Sequence, residues 1–329
     1  MNLVSKNILV TGAGGFIGSH LTEELVKLGV SVKALVKYNS RNDWGLLEML
    51  PKDLQKSIEV VPGDIRDPYM VKKAVSGCDV VFHLASLIAI PYSYKAPTSY
   101  VDTNIGGTIN VLQAALETGI EKFIHTSTSE VYGTAQYTPI DEKHPLQGQS
   151  PYSASKIGAD KIVESYCLSF DMPVTTIRPF NSFGPRQSAR AIIPTIITQA
   201  IQKDSVEVGQ LDTIRDFTFV KDTVAGFLKI AECNDTLGET VNIGSGKAIT
   251  INDLAELIFR LMDKQKPIVS RQDRLRPQKS EVMKLLCDNR KAYHLMNWRP
   301  ETNFKQGLQE TIEFFLSHAE RYKSCIYNL

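Results

Sequence analysis

The chain has 329 residues, 43% of them hydrophobic, enough to bury a substantial core and to form two unequal lobes. With 37 basic and 36 acidic residues the net charge is +1, which excludes the strong field expected of a partner of nucleic acid or of an anionic membrane. The five cysteines (Cys78, Cys167, Cys233, Cys287, Cys325) are scattered and form no CxxC or His/Cys grouping, so neither a disulfide framework nor a zinc site is expected, and a reducing cytoplasm suits them. No signal peptide is expected, since a strand begins by Asn7. The most apolar stretch, Val80 to Ile90, is interrupted by His83 and Ser86 and is too short to span a bilayer.

Asn7-Ile8-Leu9-Val10 has the apolar character of a buried parallel strand. Thr11-Gly12-Ala13-Gly14-Gly15-Phe16-Ile17-Gly18 follows at once, then an amphipathic helix over Ser19 to Leu28. Gly12, Gly15 and Gly18 allow a tight turn and let backbone N–H groups, those of Phe16 and Ile17 among them, approach a pyrophosphate at a helix N-terminus. Between a strand and a helix this spacing points to a dinucleotide site. The second strand, Val32 to Val36, leads into Lys37-Tyr38-Asn39-Ser40-Arg41. An NAD site usually carries Asp or Glu there, about 20 residues past the glycines, to hold the adenosine ribose. No carboxylate stands here, and Lys37 and Arg41 could take a 2′-phosphate, so NADP is the expected cofactor. If those two are ordinary loop charges, NAD is the alternative.

A third strand, Ile58 to Val61, runs into Gly63-Asp64-Ile65-Arg66-Asp67. Asp64, with Ile65 beside it, is placed to meet adenine, whereas Asp67 before Pro68 is a helix N-cap. A fourth strand over Val80 to Ser86 closes in Leu84-Ala85-Ser86, small enough at its end for a cofactor to pass close, and His83 within it is structural. Ile90 to Tyr94 forms a loop and Ala96 to Thr118 a long helix carrying Asn104. Lys122 to Thr126 is the fifth strand, Tyr152 to Phe170 a helix, and Val174 to Ile177 the sixth strand. This alternation makes an α/β fold, a doubly wound parallel (Rossmann) sheet with ligands at the carboxyl ends of its strands. Residues 1–178 form its dinucleotide-binding part. Residues 179–329 form a smaller substrate-binding lobe, interleaved with returning strands.

The chemistry is concentrated between His125 and Lys156. Thr126 ends the fifth strand, and Thr128 and Glu130 lie just beyond it. Tyr152 and Lys156 stand one helical turn apart and share a face. An ammonium beside a phenol favours tyrosinate and lowers a pKa that is otherwise about 10. As bland alternatives, Thr128 to Glu130 could be a plain turn and Tyr152–Lys156 a surface pair. Glu130 beside apolar Val131 and Tyr132, in line with a nicotinamide, favours catalysis.

With these motifs the chain resembles the extended short-chain dehydrogenase/reductase family over essentially its whole length. The resemblance is carried by Thr11-Gly12-x-x-Gly15-x-x-Gly18, Phe82-His83-Leu84-Ala85, Asn104, Tyr152-x-x-x-Lys156 and Arg178-Pro179-Phe180-Asn181. It implies that Tyr152 is the acid or base at a sugar hydroxyl, with Lys156 lowering its pKa and bonding the nicotinamide ribose. Thr128-Ser129-Glu130 is similar to the nucleotide-sugar 4,6-dehydratases, above all the GDP-mannose pattern, whereas the related 4-epimerases generally lack the Glu. Ser129 stands where dTDP-glucose dehydratases have an aspartic acid, which leaves the proton donor to the departing hydroxyl open. Val36 to Trp44 together with Pro91-Tyr92-Ser93-Tyr94 looks like the legionaminic-acid-pathway dehydratase. That likeness implies a GDP- or UDP-linked N-acetylglucosamine held by Ser86, Tyr94 and Thr128, with Asn181, Arg186, Arg215 and Arg276 toward the diphosphate. It further implies a homodimer through the two long helices, and no metal. The implied reaction has Tyr152 deprotonate the C4 hydroxyl and Glu130 remove the C5 proton before water leaves C6. Two rivals share the motifs: a nucleotide-sugar 4-epimerase, and a dinucleotide sensor without catalysis.

Overall fold

A computed structural model describes Met1 to Lys323; Cys325 lies outside the described residues. The central sheet has seven parallel strands: β1 (Asn7–Thr11), β2 (Ser31–Lys37), β3 (Ile58–Gly63), β4 (Val80–His83), β5 (Lys122–Thr126), β6 (Val174–Pro179) and β7 (Thr240–Ile243). Their order is β7-β6-β5-β4-β1-β2-β3, so the chain builds outward from β1 to β3 and then restarts at β4 on β1's other side. The crevice between β1 and β4 is therefore the topological switch point, where such sheets bind ligands.

Why these runs make a doubly covered sheet is visible in their side chains. Successive strand residues face opposite ways. Ile8, Val10, Val80, Phe82, Ile124 and Ile177 enter one core, with α1 (Phe16–Lys27) and the helix Val220–Glu232. Leu9, Val81, Phe123 and Val174 enter the other, with α2 (Pro68–Val75), α3 (Gly107–Thr118) and α4 (Pro151–Phe170). Each fully buried Ile, Leu or Phe contributes about 1.5–3 kcal/mol, which is why the strands need apolar residues on both faces. Asp67 caps α2 as expected, accepting from Tyr69 N at 2.9 Å and Met70 N at 3.1 Å. His83 bridges Thr11 Oγ1 (2.8 Å) and Thr108 Oγ1 (3.0 Å), tying β4 to β1 and α3, and burial holds it neutral.

One expectation needs correction and another a refinement. The fourth strand stops at His83, because Thr11 Oγ1 draws in the N–H groups of Leu84 and Ala85 at 3.1 Å each and turns the chain off the sheet. The long helix expected over Ala96 to Thr118 runs without a break from Pro97 to Thr118, but it contains a π-helical turn over Val101–Gly106, with α3 after it. The π-turn seats Asn104 in the interior, where its amide grips both backbone groups of Leu87 (2.8 and 3.0 Å) and Ser155 Oγ (2.9 Å). Inserted turns of this kind often accompany functional sites, and this one fixes the post-β4 loop against α4.

Beyond β6, Asn181–Phe183, Ile214–Phe219 and Ala248–Thr250 form a three-stranded sheet, and Val206–Val208 pairs with Ile268–Ser270. Val131, Tyr132, Ile140 and Phe180 share a small core with Val282, Leu285 and Cys287. That core draws the segment around Glu281 onto the turn that carries Glu130. Among the described residues no helix is long and apolar enough to cross a membrane.

Candidate active site

A cleft of about 1040 Å³ runs along the carboxyl ends of the strands, lined by Gly12, Lys37, Gly63, Ala85 and Thr126 among others. Its floor has the form a dinucleotide needs. Gly12 has φ +71°, and a Cβ there would lie 2.8 Å from Ala85 N; a Cβ on Gly18 would lie 2.2 Å from Gly12 O. Only glycine allows that approach. Helix α1 begins after Gly15 with no side-chain cap, leaving the N–H groups of its first turn free for a pyrophosphate where Phe16 and Ile17 line the cleft. Thr126 also lines the cleft, and its Oγ1 is buried without a protein partner, the kind of atom a bound ligand hydroxyl would satisfy. These residues fit a nicotinamide dinucleotide.

At the end of β2 both Lys37 and Arg41 line the cleft, braced by Asn39 Oδ1, which accepts from Arg41 N (3.0 Å) and Asp43 N (3.2 Å). Asp64 and Ile65 line it too, but Arg66 grips the Asp64 carboxylate at 2.6–3.1 Å and its hydrogen bonds hold that carboxyl below its usual range. Gly14, which the glycine spacing does not single out, is as tightly constrained: a Cβ there would meet Trp44 O at 2.6 Å.

Thr128, Glu130, Tyr152 and Lys156 meet where β5 ends. Thr128 caps a short 3-10 turn over Ser129–Tyr132, accepting from Glu130 N at 3.2 Å, and this aims Glu130 at the cleft. Ser150 caps α4 in a reciprocal pair with Ser153, with Pro151 in the first turn, so the helix starts just before Tyr152. Lys156 Nζ donates to Thr126 O at 2.6 Å, and burial lowers its pKa to about 8. Tyr152 departs from the expected direction: burial pushes its phenol up, the Thr128 hydrogen bond lowers it, and the Glu130 carboxylate raises it again. The phenol of the protein alone is thus firmly protonated. The reason is physical: in a dry site desolvation outweighs a cation whose charge is directed at the Thr126 carbonyl.

A second cavity of about 320 Å³ adjoins the first, and the two share Pro91, Glu130, Asn181, Gln187 and Arg276 in their linings. Arg215 lines the smaller one, with Nη2 3.2 Å from Glu281 Oε1; Arg276 Nη1 lies 3.6 Å from the same oxygen. Burial lowers the Arg215 pKa, and the nearby Glu130 carboxylate raises it. Ser86, Asn181, Arg215 and Arg276 therefore all face the cavities.

Two expected substrate residues do not. Arg186 is buried against α1, its Nη2 2.6 Å from Glu23 Oε2 and hydrogen-bonded to His20, because its φ of +66° turns it away from the cleft. Tyr94 hydroxyl bonds Ser280 Oγ at 2.6 Å, and Tyr92 lines the cleft in its place. Arg186→Ala is expected to cost about 1.5–3 kcal/mol in urea unfolding, since it removes a charged hydrogen bond to Glu23, which keeps only its pair with Lys27 (2.8 Å), and a bond to His20, while leaving nucleotide-sugar affinity near normal. Unchanged stability with a large rise in KM would restore Arg186 to the diphosphate. Residues not anticipated from sequence include Gln187 and Arg190, which line both cavities, and Asp160, buried one turn beyond Lys156. The repeat Tyr152-x-x-x-Lys156-x-x-x-Asp160 was the available signal for the last.

Comparison with known proteins agrees with this architecture. Residues 9–311 match the family described as GDP-mannose 4,6 dehydratase. A UDP-N-acetyl-alpha-D-glucosaminuronate decarboxylase from Bacillus cytotoxicus is 33% identical, covering 95% of this chain and 98% of its own. A dTDP-glucose 4,6-dehydratase from Streptomyces antibioticus is 31% identical, covering 94% and 92%. The structure of a UDP-glucuronic acid 4-epimerase from Bacillus cereus, in complex with UDP-glucuronic acid and NAD, superposes with a TM-score of 0.86 at 27% identity, covering 95% of this chain and 99% of that one.

Proposed function

The chain belongs to the GDP-mannose 4,6-dehydratase family, within the nucleotide-sugar dehydratases and epimerases of the extended short-chain dehydrogenase/reductase family, and from that premise we propose that it is a nucleotide-sugar 4,6-dehydratase. One observation carries the choice among the family's reactions: Glu130 is the carboxylate common to the linings of both cavities. It lies beside the Tyr152 phenol, whose ionisation its charge opposes. A 4-epimerase returns the hydride to the same carbon and needs no such group; an elimination does.

A nicotinamide dinucleotide held at Gly12, Gly15 and Gly18 would supply the acceptor for a hydride and its later donor. Tyr152, once ionised, takes the C4 hydroxyl proton, and Thr128, which bonds the phenol, holds the C4 oxygen in line. Lys156 holds positive charge beside the phenol as it ionises. With C4 a ketone, the C5 proton becomes acidic because the carbanion is an enolate, and Glu130 removes it. Protonated Glu130 then gives that proton to the C6 hydroxyl, which leaves as water; the enolate formed when hydride adds at C6 takes a proton at C5 from solvent, and Tyr152 releases the C4 hydroxyl proton to solvent. The other carboxylates lining the cavities are Asp43, Asp64 and Glu281, and Arg66 and Arg215 occupy two of them, which supports this double role.

The finer reading is a GDP- or UDP-linked N-acetylglucosamine as substrate in a legionaminic-acid-type sugar pathway, with NADP as cofactor. Lys37 and Arg41 at the ribose end of the cleft support NADP, and equal or tighter binding of NAD in a fluorescence titration would overturn it. Exposed Leu168 and Phe170 at the end of α4 support a homodimer; a monomeric mass in sedimentation would contradict it. The reaction is tested by incubating the protein with UDP- and GDP-linked glucose, N-acetylglucosamine and mannose, and with UDP-N-acetylglucosaminuronate, and following products by NMR. A 4-keto-6-deoxy sugar is expected. A 4-epimer, release of carbon dioxide, or binding without turnover would each replace the dehydratase reading with another.

A further inference from the structure

Behind Lys156 lies a buried carboxylate that the reaction steps leave without a task. Tyr152, Lys156 and Asp160 follow at intervals of four on α4 and so share one face. Asp160 is 5% exposed and accepts four hydrogen bonds: from His125 Nε2 (3.1 Å), Ser127 Oγ (2.8 Å), Arg178 Nε (3.3 Å) and Arg178 Nη2 (2.9 Å). Its partners sit on β5, on the turn after it and on β6, so the carboxylate is fixed from three sides. His125 Nδ1 has no partner, consistent with its one proton residing on Nε2 toward Asp160. Arg178 is itself held, with Nη1 3.0 Å from Tyr132 hydroxyl, which donates to Asn242 Oδ1 at 2.7 Å.

Lys156 is 3% exposed, and its hydrogen bond is to a neutral carbonyl. An ammonium moved into such a place loses hydration worth several kcal/mol and tends to shed its proton instead. The groups that face it from the packed elements are His83 on β4, His125 on β5 and Asp160, with Arg178 behind. Both histidines are kept neutral by burial, His125 at about 4, and Arg178, 2.9 Å from the Asp160 carboxylate, competes with the ammonium for its charge. Asp160 is the group that favours its charge. Burial opposes the ionisation of Asp160 itself, but the His125 hydrogen bond and the Arg178 charge hold it at about 2.

We propose that Asp160 is the positioning residue that keeps Lys156 protonated beside Tyr152. The inference rests on Tyr152 and Lys156 forming the proton-transfer pair, but not on elimination, because the pair is equally needed for epimerisation. Removing the Asp160 charge has a definite sign. The carboxylate raises the pKa of Lys156 and of Tyr152 alike, so Asp160→Asn moves both limbs of the pH–rate profile to lower pH. A residue that only held the fold would lower the rate and leave the limbs in place.

The test is a 15N-NMR titration of Lys156 Nζ in the ligand-free protein labelled with 15N-lysine, the resonance being identified by its absence from Lys156→Met. The wild-type midpoint is expected at about 8. In Asp160→Asn it falls by about one pH unit or more, the effect of losing an opposite charge within about 4–6 Å, and Asp160→Glu restores it. An unchanged midpoint overturns the proposal. Should Asp160→Asn not fold, Arg178→Gln serves: removing the competing cation must raise the midpoint, and no rise overturns the proposal equally. If the midpoints move as expected while no sugar nucleotide is turned over, the proposed function fails and this inference stands. If sugar is turned over while midpoints and pH limbs stay put, the reverse holds.

Discussion

Glu130→Gln is expected to freeze the enzyme after its first chemical step. The amide keeps the shape and the Thr128-capped turn but cannot take a proton from C5. Oxidation at C4 should therefore proceed through Tyr152, and reduced cofactor should accumulate in a single turnover, visible by its absorbance. Overall turnover should fall by about 10²–10⁴, the range for loss of a positioned general base. The stall is sharper than an ordinary rate loss because the same residue is asked to serve twice, as base at C5 and as acid at C6. Turnover at the wild-type rate would remove Glu130 from the mechanism. A variant that loses cofactor reduction as well would place Glu130 in binding rather than elimination.

Tyr152→Phe should fail one step earlier. Its loss removes the group that accepts the C4 hydroxyl proton, so no reduced cofactor should form and turnover should drop by about 10³ or more. Nucleotide-sugar and dinucleotide affinity should hardly change, since Thr128, Lys156 and the glycine loop remain. Because burial holds the phenol protonated in the protein alone, the rate should climb with pH on the acid side. Accumulation of reduced cofactor in Tyr152→Phe would show that another group takes the hydroxyl proton. The two variants thus separate oxidation from elimination, which a rate alone does not.

The parts of the molecule legible in the sequence are those whose physics is local. Gly12 and Gly18 declare themselves because backbone approach leaves room for nothing else, and Tyr152 and Lys156 because one helical turn separates them. The alternating cores follow from period-two burial on strands that are covered on both faces. What escaped depends on contacts between distant segments. Arg186 looks like a cleft arginine until its partner Glu23 is known, and nothing near position 186 announces that pairing. The π-turn within the helix that leads into α3 seats Asn104 against Leu87, a tertiary demand that overrides helix periodicity. The direction of the Tyr152 shift is not legible in the sequence because the desolvation cost depends on how thoroughly the fold covers the phenol. Asp160 lay within reach of the same periodicity argument that found Lys156, extended by one more turn.

In the proposed reaction the hydride leaves C4 and returns to C6, with Glu130 releasing the C6 hydroxyl between. The most direct measurement uses the nucleotide sugar that turns over, synthesised with deuterium at C4 and incubated in ordinary water, with the product examined by NMR. Deuterium is expected in the C6 methyl group of a 4-keto product and none at C4. Deuterium retained at C4 of an epimerised or unchanged sugar would contradict it.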